Sequence, residues 1–216
     1  MITSSTKIYG SFSKVAGNNG CKYFNGLFQE HNIDAIYKSF SVDSITDAIN
    51  AAKLLKFSGF AISSPYKRSM ATLCDTLDFH AHKSWSVNTV LVSEHGLLHG
   101  FNTDYFGVHL LLYPYALHSK PLYILGNGGL ANTVKHAADQ LHITIGGVIT
   151  RENWPSKDEI QNSIIFNCTP THPQIYYLNN VFIDCHASKS RTGEQLYYEQ
   201  AKQQFKLYTG ITFNGE

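Results

Sequence analysis

The stretch Leu122-Tyr123-Ile124-Leu125-Gly126-Asn127-Gly128-Gly129-Leu130-Ala131 decides how the chain is read. Its first four residues make a short apolar strand, Gly126 to Ala131 satisfy G-x-G-x-x-A, and residues 131–141 are compatible with a helix. Strand, glycine loop and helix in that order open a βαβ unit. The first glycine permits the tight turn and the second lets backbone approach a pyrophosphate. The small Ala131 lets helix and strand pack closely, with the helix N-terminus facing the anion. Glycines are often only turn formers, but the flanking elements favour a dinucleotide loop here. The candidate cofactor residues are Gly126, Asn127, Gly128, Gly129, Leu130 and Ala131.

Toward the C-terminus, a second strand spans residues 143–149 and runs into Thr150-Arg151-Glu152. Arg151 can pair with a 2′-phosphate and Glu152 can accept from a free 2′-hydroxyl, so the chain leans to NADP and leaves NAD open. Further strands follow at 163–167, ending in Cys168-Thr169-Pro170, and at 181–184, both suited to a parallel sheet. The connection from Arg151 to Ser163 holds one Pro and barely a helical turn or two, so this nucleotide domain is abbreviated. A helix from about Gly193 to Tyr208 closes the chain, with Leu196, Gln200, Gln203 and Leu207 on one face.

Toward the N-terminus, Leu110-Leu111-Leu112-Tyr113-Pro114 ends a helix and Ser119-Lys120-Pro121 reads as a seam between domains. Ser44 caps a helix whose apolar positions Ile45, Ala48, Ile49, Ala52 and Leu55 share a face. Gly59 to Ile62 is a short buried strand stopped by Ser63-Ser64-Pro65, and a helix is expected over residues 69–83. Residues 87–92 and 97–101 form a hairpin around His95-Gly96, which places Asn88 opposite Thr103 and beside Asn102 and Asp104. Asp104 is also placed to cap the apolar helix that follows.

The composition sets the remaining bounds. With 216 residues, 43% hydrophobic and 15% charged, the chain has ample material for a core. The 17 basic and 16 acidic residues give no net field to draw a polyanion, so neither nucleic acid nor a membrane surface is expected as partner. No apolar run approaches the roughly 18 residues of a span, and the start has no hydrophobic block of the signal-peptide kind. A cytoplasmic protein is expected. Cys21, Cys74, Cys168 and Cys185 form no C-x-x-C pair, the pattern of reduced thiols. Of the 11 histidines only His80/His82 and His95/His99 are close in sequence, without ligand partners nearby, so no metal site is expected.

Taken together the pieces resemble the shikimate dehydrogenase family along almost the whole chain. Residues 58–67, ending in Lys67, resemble its G-x-N-V-T-x-P-x-K, and Ser86-Val87-Asn88-Thr89 is similar to its A-V-N-T. Residues 100–107 are similar to its G-x-N-T-D-x-x-G, Arg151 falls where its N-R-T arginine lies, and residues 166–170 resemble I-N-A-T-P. Gly193-x-x-Leu196-x-x-x-Gln200-Ala201 parallels its terminal G-x-x-M-L-x-x-Q-A.

The resemblance implies an α/β fold with an N-terminal substrate domain over residues 1–118, joined by the terminal helix 193–216, and a Rossmann-like NADP-binding domain over 119–192. It implies Lys67 and Asp104 as the catalytic pair and Ser63, Asn88 and Gln200 as substrate contacts, with Gly193 joining the glycine loop and Arg151 at the cofactor. The implied activity is reversible reduction of 3-dehydroshikimate or a close analogue in aromatic amino acid biosynthesis, by a monomer or homodimer. A quinate- or amino-shikimate-type dehydrogenase, or a binding module of the same fold without turnover, stands as the alternative. Two departures from the family bear on this choice. Asn18 and Gly20 stand where its substrate-binding serine pair lies, with Ser11 and Ser13 further upstream, and Asp184-Cys185-His186-Ala187 lacks its tyrosine.

Overall fold

The structure, a computed structural model, describes residues 2–154, 160–171 and 179–212. Two compact units make up the chain: Met1–His82, Ser86–Asn102 and Gln204–Glu216 in the first, Lys83–Trp85 and Thr103–Gln203 in the second.

The first unit is built on strands β1 (Lys7–Ser13), β2 (Ala35–Ser41), β3 (Gly59–Ile62), β4 (Thr76–Leu77), β5 (Thr89–Val92) and β6 (Leu98–Phe101). Among the described residues they form one mixed sheet in the order β2-β1-β3-β5-β6-β4, with β5 antiparallel to both neighbours. Helices α1 (Asn19–Glu30) and α2 (Ile45–Leu54) connect the parallel strands. The Ser44 side chain accepts from the Asp47 amide at 3.2 Å, the expected cap, and Ile45, Ala48, Ile49 and Ala52 are buried as their spacing requires. Leu55 departs from that face. It follows the last helical turn and is 60% exposed. The Asn25 side chain ties α1 to β2, donating to the Cys21 and Tyr37 carbonyls and accepting from the Tyr37 amide, each at 2.8 Å.

Two local expectations are corrected. The helix expected over 69–83 is two helices, α3 (Lys67–Leu73) and α4 (Phe79–Ser84), separated by β4. Side chains that bond residues far along the chain break it. The Asp75 carboxylate accepts from the Leu98 amide at 2.7 Å, and Asp78 accepts from the amides of Ala81 (2.7 Å) and Asn102 (3.2 Å). The hairpin is also shifted by one residue, with Thr89 paired to Phe101 and Val90 to Gly100. Its loop is Glu94-His95-Gly96 rather than two residues. Ser93 and Leu97 close it at 2.9 Å, and Gly96 takes the left-handed conformation (φ 75°) that a three-residue loop needs. The pairing extrapolates to Asn88 facing Asn102, not Thr103.

The second unit holds strands β7 (Leu122–Leu125), β8 (Ile145–Ile149), β9 (Ile164–Asn167) and β10 (Val181–Asp184), with helices α5 (Asp104–Leu112) and α6 (Gly129–Gln140). The strands form a parallel sheet in the order β10-β9-β7-β8. Leu122, Ile124, Val134, Ala138, Ile164 and Phe166 fill its core, and Val108 and Leu112 of α5 join them. By contacts α5 therefore goes with this unit. The expected connection between Arg151 and Ser163 lies partly outside the described residues.

Helix α7 (Arg191–Thr209) is the last element among the described residues. Gly193, Leu196, Gln200 and Ala201 are buried as part of the second unit, and Gln204, Phe205 and Tyr208 as part of the first. After Gln200 the buried face thus runs through Gln204 and Tyr208, not Gln203 and Leu207 as expected. Within the first unit the Tyr208 ring lies 4.5 Å from that of Tyr9, and the Tyr9 hydroxyl donates to the Tyr208 carbonyl at 2.7 Å. The Gln204 side chain donates to Thr89 Oγ1 at 2.8 Å.

Candidate functional site

In the first unit, Ser63, Lys67 and Asn88 gather at the edge where β1 and β3 end and β5 begins. The Ile62 amide donates to the Asn88 carbonyl at 2.8 Å and the Ser63 amide to the Phe12 carbonyl at 3.0 Å. A turn through Ser63-Ser64-Pro65-Tyr66, with the Ser64–Pro65 peptide cis, leads into α3, which Lys67 opens. The Lys67 carbonyl accepts from the Val87 amide at 2.9 Å, which fixes the lysine's backbone one residue from Asn88. Ser63 is exposed, Lys67 half-buried and Asn88 buried. Ser13, also buried, closes β1 at the same edge. Ligands of open α/β sheets bind outside the carboxyl ends of the strands. Asn18, by contrast, is exposed at the start of α1 and caps nothing with its side chain.

The second unit carries the other expected residues. Asp104 is the first residue of α5 and 4% exposed, and Gln200 lies on the buried face of α7. Gly126 follows β7 with φ 96°, a conformation that favours glycine, and its amide donates to the Ile149 carbonyl at 2.7 Å. Gly128 caps α6, and a Cβ placed on it would meet nothing within 4 Å. That open space in front of a helix N-terminus fits a pyrophosphate, and Ala131 is fully buried as the motif requires. Gly129 and Leu130 open α6. Asn127 Oδ1 accepts from Lys135 Nζ at 3.0 Å, which holds at the loop a cation not singled out from the sequence. Arg151 is exposed in the turn after β8, where Asn153 Oδ1 accepts from the Thr150 amide and hydroxyl. Gly193 has a packing constraint of its own. A Cβ there would lie 2.2 Å from the His186 carbonyl carbon.

One cluster is not apparent from the spacing of histidines in the sequence. Asp184 at the end of β10 is 1% exposed. Its Oδ1 accepts from Asn167 Nδ2 at 3.3 Å and the His186 amide at 3.0 Å, and lies 2.7 Å from His186 Nδ1. Asn167 is itself fixed, with Oδ1 accepting from the Thr169 amide (3.0 Å) and hydroxyl (2.7 Å). Ligand atoms of Asp184, Cys185 and His186 lie within 4.8 Å of one another, close enough for a metal. The carboxylate oxygen is already engaged by N–H donors, however, which suits it to orienting the imidazole. The four cysteines form no disulfide among the described residues, and burial pushes the Cys74 thiol up to about 12, with Asp75 adding to the effect. Among the described residues no helix is long and apolar enough to cross a membrane.

One unit is a parallel sheet with a glycine loop at its switch point, the pattern of dinucleotide-type α/β proteins, and the other is a mixed α/β sheet carrying a lysine and an asparagine at its edge. Residues 14–90 match the shikimate dehydrogenase substrate binding domain. A shikimate dehydrogenase-like protein of Haemophilus influenzae is 33% identical over 135 residues, 62% of this chain and 49% of that protein. The shikimate dehydrogenase (NADP(+)) of Pyrococcus abyssi is 30% identical over 153 residues, 70% of this chain and 56% of that protein. The chain thus spans about half the length of the curated relatives it matches. Among solved structures, shikimate dehydrogenase of Aquifex aeolicus superposes with TM-score 0.78 at 21% identity, covering 99% of this chain and 96% of that one. Shikimate 5-dehydrogenase of Listeria monocytogenes, in complex with shikimate and NAD, superposes with TM-score 0.68 at 16% identity, covering 99% and 95%. The chain belongs to the shikimate dehydrogenase family.

Proposed function

We propose that the chain is an oxidoreductase of shikimate dehydrogenase type that uses NADP to interconvert a ring ketone and alcohol on a hydroxylated cyclohexene carboxylate such as 3-dehydroshikimate. The observation that carries this is the placement of Lys67 at the opening of α3, its carbonyl bound to the residue before Asn88 at the carboxyl edge of the sheet. The unit that carries Lys67 and Asn88 takes the substrate, and the unit that carries the glycine loop takes the cofactor, in a cytoplasmic enzyme of aromatic amino acid biosynthesis. In this role Ser63, Asn88 and Gln200 bind substrate hydroxyls.

The nicotinamide supplies the hydride when bound. Negative charge then develops on the ketone oxygen, and the Lys67 ammonium stabilises and protonates it. Asp104 is the second member of the proposed catalytic pair. The Gly126–Ala131 loop and the start of α6 donate to the pyrophosphate, and the Arg151 guanidinium pairs with the 2′-phosphate. Asn18 and Gly20 leave the substrate carboxylate with fewer hydroxyl donors than the family's serine pair provides, so it is held weakly.

Assay of shikimate, quinate and amino-shikimate with NADP and NAD, read by nicotinamide absorbance, tests the proposal. Turnover of at least one is expected, and Lys67→Ala should lower kcat by roughly two to four decades with dinucleotide affinity unchanged. A native protein that binds NADP but turns over none of them would instead be a binding module of the same fold, a role the replaced serine pair favours.

A further inference from the structure

Besides the turn after β8, the four-stranded sheet ends in three loops on the same edge: Gly126 onward after β7, Cys168-Thr169 after β9 and Cys185-His186 after β10. The first two touch, since a Cβ on Gly126 would meet Thr169 Cγ2 at 3.2 Å. Strand order reverses between β7 and β9, which makes that crevice the switch point of the sheet. A dinucleotide with its pyrophosphate at Gly128 and its 2′-phosphate at Arg151, after β8, must send its other half over β9 and β10. Two strand spacings, roughly 10 Å, separate β7 from β10, within reach of a nucleotide half.

What stands there is an imidazole held by a chain of polar groups, of which Asn167 and Asp184 are buried. Thr169 fixes Asn167, Asn167 donates to Asp184, and Asp184 fixes the His186 ring through Nδ1 at 2.7 Å. The His186 amide bonds the same carboxylate oxygen, so backbone and ring are both set. A carboxylate on Nδ1 selects the tautomer that carries its proton there and leaves Nε2 as an acceptor. The His186 side chain is 18% exposed, open enough to meet a ligand and too enclosed to swing freely. An acceptor at that position complements the N–H of a carboxamide.

We propose that His186 holds the nicotinamide carboxamide by accepting its N–H at Nε2, with Asp184 and Asn167 as the residues that position it. This rests on the dinucleotide-binding role proposed above. It assigns a cofactor contact to the segment where this chain departs from the family's tyrosine.

Calorimetry on the full chain with three probes tests the assignment: NADP⁺, its 3-acetylpyridine analogue, which lacks the carboxamide N–H, and adenosine 2′,5′-bisphosphate, which lacks the nicotinamide half. The native protein should prefer NADP⁺ over the analogue by about five- to tenfold, the worth of one hydrogen bond. His186→Ala should abolish that preference and leave adenosine 2′,5′-bisphosphate binding unchanged, while His186→Gln, which keeps an acceptor, should restore part of it. Preference that persists in His186→Ala overturns the assignment and leaves the dinucleotide site standing. Equal loss for all three probes overturns it by showing a structural role. Failure of the native protein to bind any probe removes the dinucleotide site itself, and the assignment with it.

Discussion

Gly128→Ala separates binding from folding at the glycine loop. Gly128 has φ −92° and ψ −167°, extended backbone that any residue adopts, and a Cβ there meets nothing within 4 Å. The folding cost is therefore confined to alanine's poorer performance as an N-cap, up to about 1 kcal/mol. For a chain of this size that lowers Tm by no more than about 4 °C. On the proposed function the same empty volume takes the pyrophosphate, and a methyl group would push the anion off the amides at the start of α6. Loss of one hydrogen bond to a charged group costs about 1.5–3 kcal/mol, roughly a 10- to 150-fold rise in Kd. Calorimetric titration with NADP⁺ measures the affinity and a thermal melt of the same sample measures the fold. Native affinity in Gly128→Ala would show that the loop does not cradle the phosphates. A melt lowered by 10 °C or so would show that the space at Gly128 is filled in solution.

Gly193→Ala should show the opposite balance: its Cβ would lie 2.2 and 2.3 Å from the His186 carbonyl carbon and oxygen and 2.7 Å from the Ala187 nitrogen. All three are backbone atoms that cannot rotate away, so a loss of about 3 kcal/mol is expected, a fall in Tm of about 6–12 °C; an unchanged melt would refute the contact. Ser86 is fully buried and its Oγ has no hydrogen-bond partner among the described residues, so Ser86→Ala should stabilise the fold by about 1 kcal/mol in urea unfolding; destabilisation would reveal a partner for the hydroxyl. The Cys74 thiol, raised by burial to about 12, and the Tyr208 hydroxyl, raised by burial well above 10, stay protonated in the folded chain while the unfolded chain ionises. The unfolded state then binds fewer protons, so stability should hold below about pH 9 and decline from there toward pH 12; a flat urea midpoint across that window would contradict the burial of both groups.

The parts of the fold legible in the sequence are those set by neighbours. Four apolar residues before Gly126 leave a strand no other reading, and β3 and β10 have the bounds expected of them. What escaped depends on distant partners. The break between α3 and α4 is made by Asp75 and Asp78 bonding the amides of Leu98 and Asn102, residues 23 and 24 positions away. Either aspartate read locally is an ordinary helix residue. The hairpin register turned on whether Glu94 belongs to the loop, and one residue decides which face each side chain takes. On α7, Gln204 looks solvated until Thr89 is set beside it as a buried partner.

The candidate site divides along the same line. Ser63, Lys67 and Asn88 were found by motif, and strand ends hold them through backbone bonds that tolerate few changes. The dyad of Asp184 and His186 was missed because its meaning lies in Asn167, 17 residues earlier on the neighbouring strand. Departures from the family stand at Asn18 and Gly20, where α1 begins, and in the turn after β10, while at the sheet edge Ser63 replaces its threonine and keeps the hydroxyl. Loops exchange side chains at little cost to the fold, whereas a sheet edge does not. On the proposed function, a chain that varies its loops while keeping its sheet-edge lysine changes what it recognises sooner than what it catalyses. The substrate panel should then shift preference among cyclic hydroxy acids before it loses turnover.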